Sequence, residues 1–484
     1  EGGTPSNVGI GNNAGGGISN NSSGNGGSIF ALDVTDPDQL THMAQSDSGN
    51  HKGVPECLVG DFVPGTTTKP SNCASEYPKI LWELRDDQSV SSTTPSPAEK
   101  IGTNEATTQD LGFTWSQPVL GRIKVHDTGA NADRDYFVAI FGGGYDHSGS
   151  DIASTNTAGN TGNFLYMADI ETGKIIYKRN LGLWNTGASG TNTSGNLAAG
   201  VPGQPGVADI NNDGYLDRIY IGDTQGRIWK VDLTTKPNIT SGVIDTASWI
   251  PTLFFDEFQT ATPGGGAIRQ PIFNRPTLFL VGTTTSGLPR IAVAVGTGDR
   301  DNMPILTDNN SSHINYFITA LDDPSLTYPL YLSSLTLASE TTDNCSGANT
   351  CFNGTGAGFY LKLPYSDTGV EIVNTNALVF EQTISFNTFI HAGATTDPDT
   401  GASTCGQKGD AFFHHINALT GVSLFTDANG NIEAERSAGS EVASEPIVYQ
   451  DQNIWIVSAT DNTKVPTVAG GKPPTAKVKT WKEQ

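Results

Sequence analysis

The sequence predicts an all-β protein, a single β-propeller carrying long polar insertions. Three observations carry that expectation. The composition is turn-rich, with 57 glycines and 26 prolines in 484 residues and 36% hydrophobic residues. That profile suits many short strands joined by turns and disfavours helical bundles. Second, a strand of alternating aromatic and aliphatic residues that ends in an Asp or Asn turn recurs along the chain. Third, a strand apolar on both faces, running into Gly or another small residue, usually sits just upstream of it.

The amphipathic strands are "SIFALDVTDP" (28–37), "FLYMADIETGK" (164–174), "RIWKVDLTT" (227–235) and "YFITALDDP" (316–324), with looser copies at 358–369 and 412–421. In "DIETGK" and "NALTG" the Asp or Asn side chain is expected to accept from backbone N–H groups ahead of it. Gly then takes the left-handed turn position. The doubly buried strands are "YFVAIFGGGYD" (136–146), "RIYIGDTQG" (218–226), "RIAVAVGTGD" (290–299), "TFIHAGATT" (388–396) and "NIWIVSATD" (453–461). Small residues at their ends let neighbouring backbones crowd together. Buried strand, small corner, amphipathic strand, Asp turn and a further strand such as "KIIYKRNL" (174–181) make up a propeller blade. The copies are irregularly spaced, so insertions are expected at 41–80, 86–112, 147–163, 184–203 and 325–357.

The ends complement each other. "NIWIVSATD" lacks a following Asp-turn strand, and "SIFALDV" lacks a preceding buried one. Together they complete one blade, and their pairing closes the ring and removes its open edges. The expected organisation is a flexible Gly/Asn-rich segment at 1–27, one propeller at 28–462, and a Pro/Lys-rich tail or docking segment at 463–484. The opening "EGGTPSNVGIGNNAGGG", without Met or signal peptide, reads as the start of a mature product or a piece of a larger protein. No run of about 18 apolar residues is present, so no membrane span is expected.

The formal charge of −23 excludes bulk nucleic-acid binding, which needs a basic footprint. An acidic, low-lysine surface suits an extracellular protein and leaves room for divalent cations. Cys57–Cys73 and Cys345–Cys351 each enclose a short, turn-rich loop and read as disulfides. Cys405 is left over: it is free, or it displaces one member of the Cys345/Cys351 pair. Five reduced cysteines are the competing reading.

"DINNDGYLD" (209–217) crowds three aspartates into nine residues. Asp209, Asn211 and Asp213 stand at positions one, three and five of a calcium loop of the EF-hand type. Gly214 sits at position six, where the chain must turn sharply. Tyr215 at position seven offers its backbone carbonyl, and Asp217 at position nine binds directly or through water. Position twelve is Tyr220 rather than the bidentate Glu of an EF-hand, and the flanks read as strands. The loop is therefore a compact variant between two strands. Calcium suits it because calcium takes six to eight oxygen ligands in flexible geometry. The competing reading is a solvated Asx-rich turn, in which three close carboxylates repel one another. "DANGNIEAE" (427–435) is a weaker echo, with Gly430 out of place, and reads as a turn.

Catalytic constellations are thin. His414 and His415 are adjacent in a strand and face opposite sides, so one is expected in the core and one at the surface. "FGGGYD" has no Lys-Ser/Thr sequel, and Ser116 has no GxSxG frame. Trp82, Trp115, Trp184, Trp229 and Trp249 are expected to pack between blades.

"TWSQPVLGRI", "FGGGYD", "LYMADIETGKII", "VADINNDGYLDRIYIGDTQGRIWKVDL", "VGTGDR" and "YFITALDD" together resemble the C-terminal domain of the PilC/PilY family of type IV pilus tip-associated proteins. The matches run in order from about 112 to 323, and the segment after 340 matches loosely. The resemblance implies a modified propeller of about seven blades, with calcium held by Asp209, Asn211, Asp213, the Tyr215 carbonyl and Asp217. It implies an extracellular place at the pilus tip or bacterial cell surface, with minor pilins as partners. It also implies roles in pilus assembly, in opposing retraction and hence in twitching motility, and in adhesion to host-cell or abiotic surfaces. Some members carry an Arg-Gly-Asp motif; this chain has only "KGD" at 408–410. Two other function classes compete. A quinoprotein-like dehydrogenase would gather its calcium ligands in the central funnel beside a catalytic Asp. A lectin-like secreted propeller would bind glycans on its polar insertions.

Overall fold

The computed structural model describes residues 28–33, 79–85, 111–112, 115–144, 162–181, 199–240, 242–258, 269–283, 287, 289–300, 313–345, 351–352, 356–366, 369–391, 409–440, 442–449 and 453–455. Within them every element but the short 3₁₀ turn Leu332–Ser334 is a β-strand. The all-β fold class is therefore the one observed. The segments 1–27 and 463–484, Cys57, Cys73 and Cys405 lie outside the described residues.

The chain divides into two compact units near residue 254, one N-terminal and one C-terminal. The N-terminal unit holds two antiparallel meanders. In the first, Val119–Asp127, Ala132–Gly142, Phe164–Asp169 and Ile175–Asn180 lie side by side in chain order, with Asn238–Thr240 and Val243–Asp245 added beyond Val119–Asp127. In the second, Gly206–Ala208, Arg218–Gly222, Arg227–Asp232 and Pro251–Asp256 follow one another. Val138, Ile140, Leu165, Met167, Ile219, Ile221, Trp229 and Val231 form one buried core across the facing sheets. Two of the strands read as doubly buried are so over their central residues: Val138 to Phe141 and Ile219 to Ile221 are all out of water, although Phe137, read as part of the first, is exposed.

The C-terminal unit repeats the pattern. Thr277–Thr283, Pro289–Gly296, Tyr316–Asp322 and Gly358–Lys362 make one meander. The segment 325–357, expected to be an insertion, lends that sheet an edge strand, Thr336–Leu337, parallel to Phe359–Tyr360. Gly369–Val373, Thr383–His391, Gly409–Asn417 and Arg436–Gly439 make the other. The two sheets meet through Phe317 and Phe386, whose rings stack at 4.0 Å and 2°. Close approach needs small residues, as the sequence suggested: a Cβ on Gly296 would stand 2.3 Å from Val373. Four-stranded antiparallel meanders of this kind are the units from which propeller blades are built.

The Asp-turn pattern is carried by real bonds. Asp232 Oδ1 accepts from Thr234 N–H, Asp323 Oδ1 from Ser325 N–H, and Asn417 Oδ1 from Leu419 N–H, each at 2.9 Å. Such local acceptors are why Asp and Asn end these strands. In "DIETGK" the Asp169 carboxylate takes the Thr172 hydroxyl instead. At the ends, Ser28–Asp33 pairs antiparallel with Lys79–Arg85, and Asn453–Trp455 with Ile447–Tyr449. Cys345 and Cys351 are joined in a disulfide. Trp229 and Trp249 are core residues, whereas Trp115 is 53% exposed and does not pack between sheets as expected. No helix among the described residues is long and apolar enough to cross a membrane.

Candidate metal centre

The loop 209–217 joins Gly206–Ala208 to Arg218–Gly222, the outer antiparallel pair of the second sheet. It folds on its own side chains. Asp209 accepts from the N–H groups of Asp213 at 3.2 Å and Gly214 at 2.7 Å. Asn211 Oδ1 accepts from Asp213 N–H at 2.8 Å, and Asp213 Oδ1 from Tyr215 N–H at 3.0 Å. Asp217 Oδ2 accepts from Ile210 N–H at 2.8 Å and Asn211 N–H at 3.3 Å. Asn212 (φ 59°) and Gly214 (φ 86°) take left-handed conformations, which turn the chain inward on these acceptors. Each oxygen that accepts one N–H keeps a second lone pair, so the same side chains retain capacity for a cation.

The loop is also tied to the first sheet. Tyr215 donates its hydroxyl to Asp135 Oδ1 at 2.8 Å. Arg122 and Lys124, two apart on one strand and so on one face, lie over its ring at 4.3 and 4.0 Å. The Arg122 side-chain Nε–H donates to the Gly214 carbonyl at 3.2 Å, and Leu216 N–H to the Arg122 carbonyl at 2.9 Å. Asp217 is buried, and its carbonyl accepts from Leu233 N–H. Asp213 is exposed. The donor set is all oxygen and suits calcium, with Asp209, Asn211, Asp213, Tyr215 and Asp217 contiguous in one turn.

A second cluster was not foreseen. Among the described residues, one group of three His, Cys, Asp or Glu side chains brings its ligand atoms within 4.8 Å of one another: Glu371, His414 and Glu435. His414 Nε2 lies 3.0 Å from Glu371 Oε1, 3.4 Å from Glu435 Oε2 and 3.0 Å from Thr388 Oγ1. Its Nδ1 lies 2.8 Å from Glu340 Oε1. Burial opposes charge on His414, but Glu340 and Glu371 overcome it and hold the imidazolium well above its ordinary range. Burial, with repulsion from Glu371 and Glu340 and against the pull of His414, raises Glu435 to about 7.

The sequence expectation of one core and one surface histidine is corrected here: His414 and His415 are both buried. Strand alternation does point them to opposite faces, but this strand is covered on both. His415 Nδ1 meets Ser385 Oγ at 2.8 Å, its ring lies near those of Phe413 and Phe425, and burial lowers it to about 4. The echo at 427–435 is the expected turn, with Asp427 accepting from the N–H groups of Asn429 and Asn431. Its last residue, Glu435, is the one that reaches the cluster.

No family model matches the chain. It is similar to "Type IV pilus biogenesis factor PilY1" of Pseudomonas aeruginosa strain UCBPP-PA14, 30% identical over 130 residues, which are 27% of this chain and 8% of that protein. The same factor from strain PAO1 is 26% identical over 166 residues, 34% of this chain and 10% of the relative. The aligned stretches thus span no more than a tenth of those relatives' length. Among solved structures, the Pseudomonas aeruginosa PilY1 C-terminal domain aligns with a TM-score of 0.48 at 19% identity, covering 79% of this chain and 75% of that one.

Proposed function

We propose that the chain belongs to the PilC/PilY family of type IV pilus biogenesis factors, and that it is a calcium-binding, non-enzymatic module of the pilus. The observation that carries the proposal is the 209–217 loop, whose oxygen donors stand in calcium-loop order on a turn pinned to a neighbouring sheet. Asp209, Asn211, Asp213, the Tyr215 carbonyl and Asp217 would hold the ion. Bound calcium would offset the repulsion among the three carboxylates and hold the turn in one arrangement. Because the loop grips Asp135 and Arg122 through Tyr215 and the Gly214 carbonyl, its occupancy would be felt by the first sheet.

On this reading the module is extracellular, at the pilus tip or cell surface. It meets minor pilins, supports assembly, opposes retraction and contacts host-cell or abiotic surfaces. Residues 28–462 would form one propeller of about seven blades closed by its terminal strands, with 1–27 flexible and 463–484 a docking tail. These roles rest on the family relation together with the loop.

Calcium titration by calorimetry of this chain and of Asp213→Ala tests the reading. One calcium bound by the parent and none by the variant is expected. Equal binding by both would move the ion elsewhere and reopen the dehydrogenase reading. No binding by either would leave a plain polar turn.

A further inference from the structure

We propose that Glu371, Glu435 and Nε2 of His414 form a second metal site, separate from the calcium loop, for a divalent transition ion of the zinc class. The spacing is the first argument. Ligands at about 2.0–2.1 Å from a four- or six-coordinate ion stand about 3.0–3.4 Å from one another. Nε2 lies 3.0 Å from Glu371 Oε1 and 3.4 Å from Glu435 Oε2. Thr388 Oγ1, 3.0 Å from Nε2, is placed to orient a ligand or a bound water.

The outer shell is also in place. A metal-bound imidazole nearly always donates its other N–H to a carboxylate or carbonyl, which fixes tautomer and ring. Glu340 Oε1 at 2.8 Å from Nδ1 fills that role, and Ser423 N–H holds the Glu340 backbone carbonyl at 2.7 Å. The ring itself cannot swing: it stacks on Phe386 at 4.6 Å and 1°, and Phe386 stacks on Phe317.

A further observation points to a missing ligand. Glu371 is wholly buried, and its Oε2 has no hydrogen-bond partner. A buried carboxylate oxygen without a partner is costly. The ion pairs made by Glu340, Glu371 and Glu435 all run to His414, so one imidazole faces three carboxylates. A divalent cation held by both oxygens of Glu371 supplies the missing partner, and as it displaces the Nε2 proton of His414 to solvent it also adds net positive charge among the three carboxylates. Glu435 is 26% exposed at its side chain and gives the ion its approach from solvent. The mixed nitrogen and carboxylate set favours zinc or a neighbouring transition ion over calcium, which prefers oxygen alone.

The test is titration of the metal-stripped 484-residue chain with zinc, and separately with cobalt(II), whose visible absorption reports an imidazole-carboxylate site. One zinc per chain is expected, still bound by Asp213→Ala. Glu435→Gln, at the open side of the cluster, should weaken zinc at least about tenfold while leaving the circular dichroism and calcium titration unchanged. Glu371→Gln should abolish binding; if it fails to fold, Glu435→Gln decides alone. Absence of zinc binding in the parent, or unchanged affinity in Glu435→Gln, overturns the site. Loss of zinc in Asp213→Ala would move the ion to the calcium loop and overturn it equally. Failure of calcium binding leaves the zinc result untouched.

Discussion

Oδ2 of Asp223 accepts Nε–H of Arg227 at 2.7 Å, with both side chains almost wholly out of water. The same oxygen takes the indole N–H of Trp229 at 2.8 Å, and Oδ1 takes the backbone N–H groups of Gln225 and Arg227 at 2.8 and 3.1 Å. The pair therefore explains why "GDTQGRIWK" is so distinctive a string: it is a turn, a buried ion pair and an indole anchor in one segment. Removing the carboxylate takes away the acceptor that a buried guanidinium, the Trp229 indole and two backbone N–H groups share, which costs about 3–5 kcal/mol. Asp223→Ala should lose that much stability in urea unfolding. A loss below about 1 kcal/mol, the range of exposed pairs, would show that the pair is not holding the turn.

Two aspartates of the loop should separate structure from ion binding. Asp217 is buried and accepts two backbone N–H groups, so Asp217→Ala should destabilise the calcium-free protein by about 1–3 kcal/mol. Asp213 is exposed and accepts one, from Tyr215. Asp213→Ala should cost the calcium-free protein no more than about 1 kcal/mol, yet erase the thermal stabilisation that calcium gives the parent. Thermal melts with and without chelator make the comparison.

Gly358 opens the last strand of its meander at φ 124°, and a Cβ there would stand 1.9 Å from the Thr319 carbonyl. Neither the conformation nor the clash can relax without moving the paired strand. Gly358→Ala should cost about 2 kcal/mol or more, read as a lower denaturant midpoint. A neutral result would mean that the strands can slide apart freely.

Glu257 predicts how stability changes with pH. Its side chain is buried, Oε2 accepts Gln270 N–H at 2.9 Å, and Oε1 has no partner. Burial dominates, helped by Asp256 and opposed by the Gln270 N–H and Arg269, and raises its carboxyl well above the ordinary value. At low pH the folded and unfolded chains both hold the proton. Above about pH 4.3 the unfolded chain releases it while the folded chain keeps it. Folding then becomes the proton-binding state, and stability falls as pH rises until the folded group ionises. Glu257→Gln should flatten that decline and exceed the parent in stability at pH 8. Parallel pH profiles for the two proteins would refute it.

The local rules were legible in the chain. Asp-ended strands and the 209–217 loop depend on hydrogen bonds between residues two to seven apart, so composition and spacing suffice to read them. The loop's contiguous oxygen donors mark it as a candidate cation site from spacing alone. The sequence by itself thus determined the all-β class, the blade grammar and one candidate site.

Sheet register decided the rest. Glu340, Glu371, His414 and Glu435 are scattered over nearly a hundred residues, and no spacing links them. They meet because Glu371, Thr388 and His414 lie on three adjacent strands and Glu435 directly precedes a fourth, while a turn bond to Ser423 brings Glu340 in from an edge segment. Alternation told that His414 and His415 face opposite sides, but only packing on both faces of the strand could bury both. Likewise Tyr215, read as a backbone ligand alone, proves to anchor its loop through Asp135, Arg122 and Lys124. Periodicity fixes the face a side chain takes; what covers that face depends on which distant strand is paired beside it.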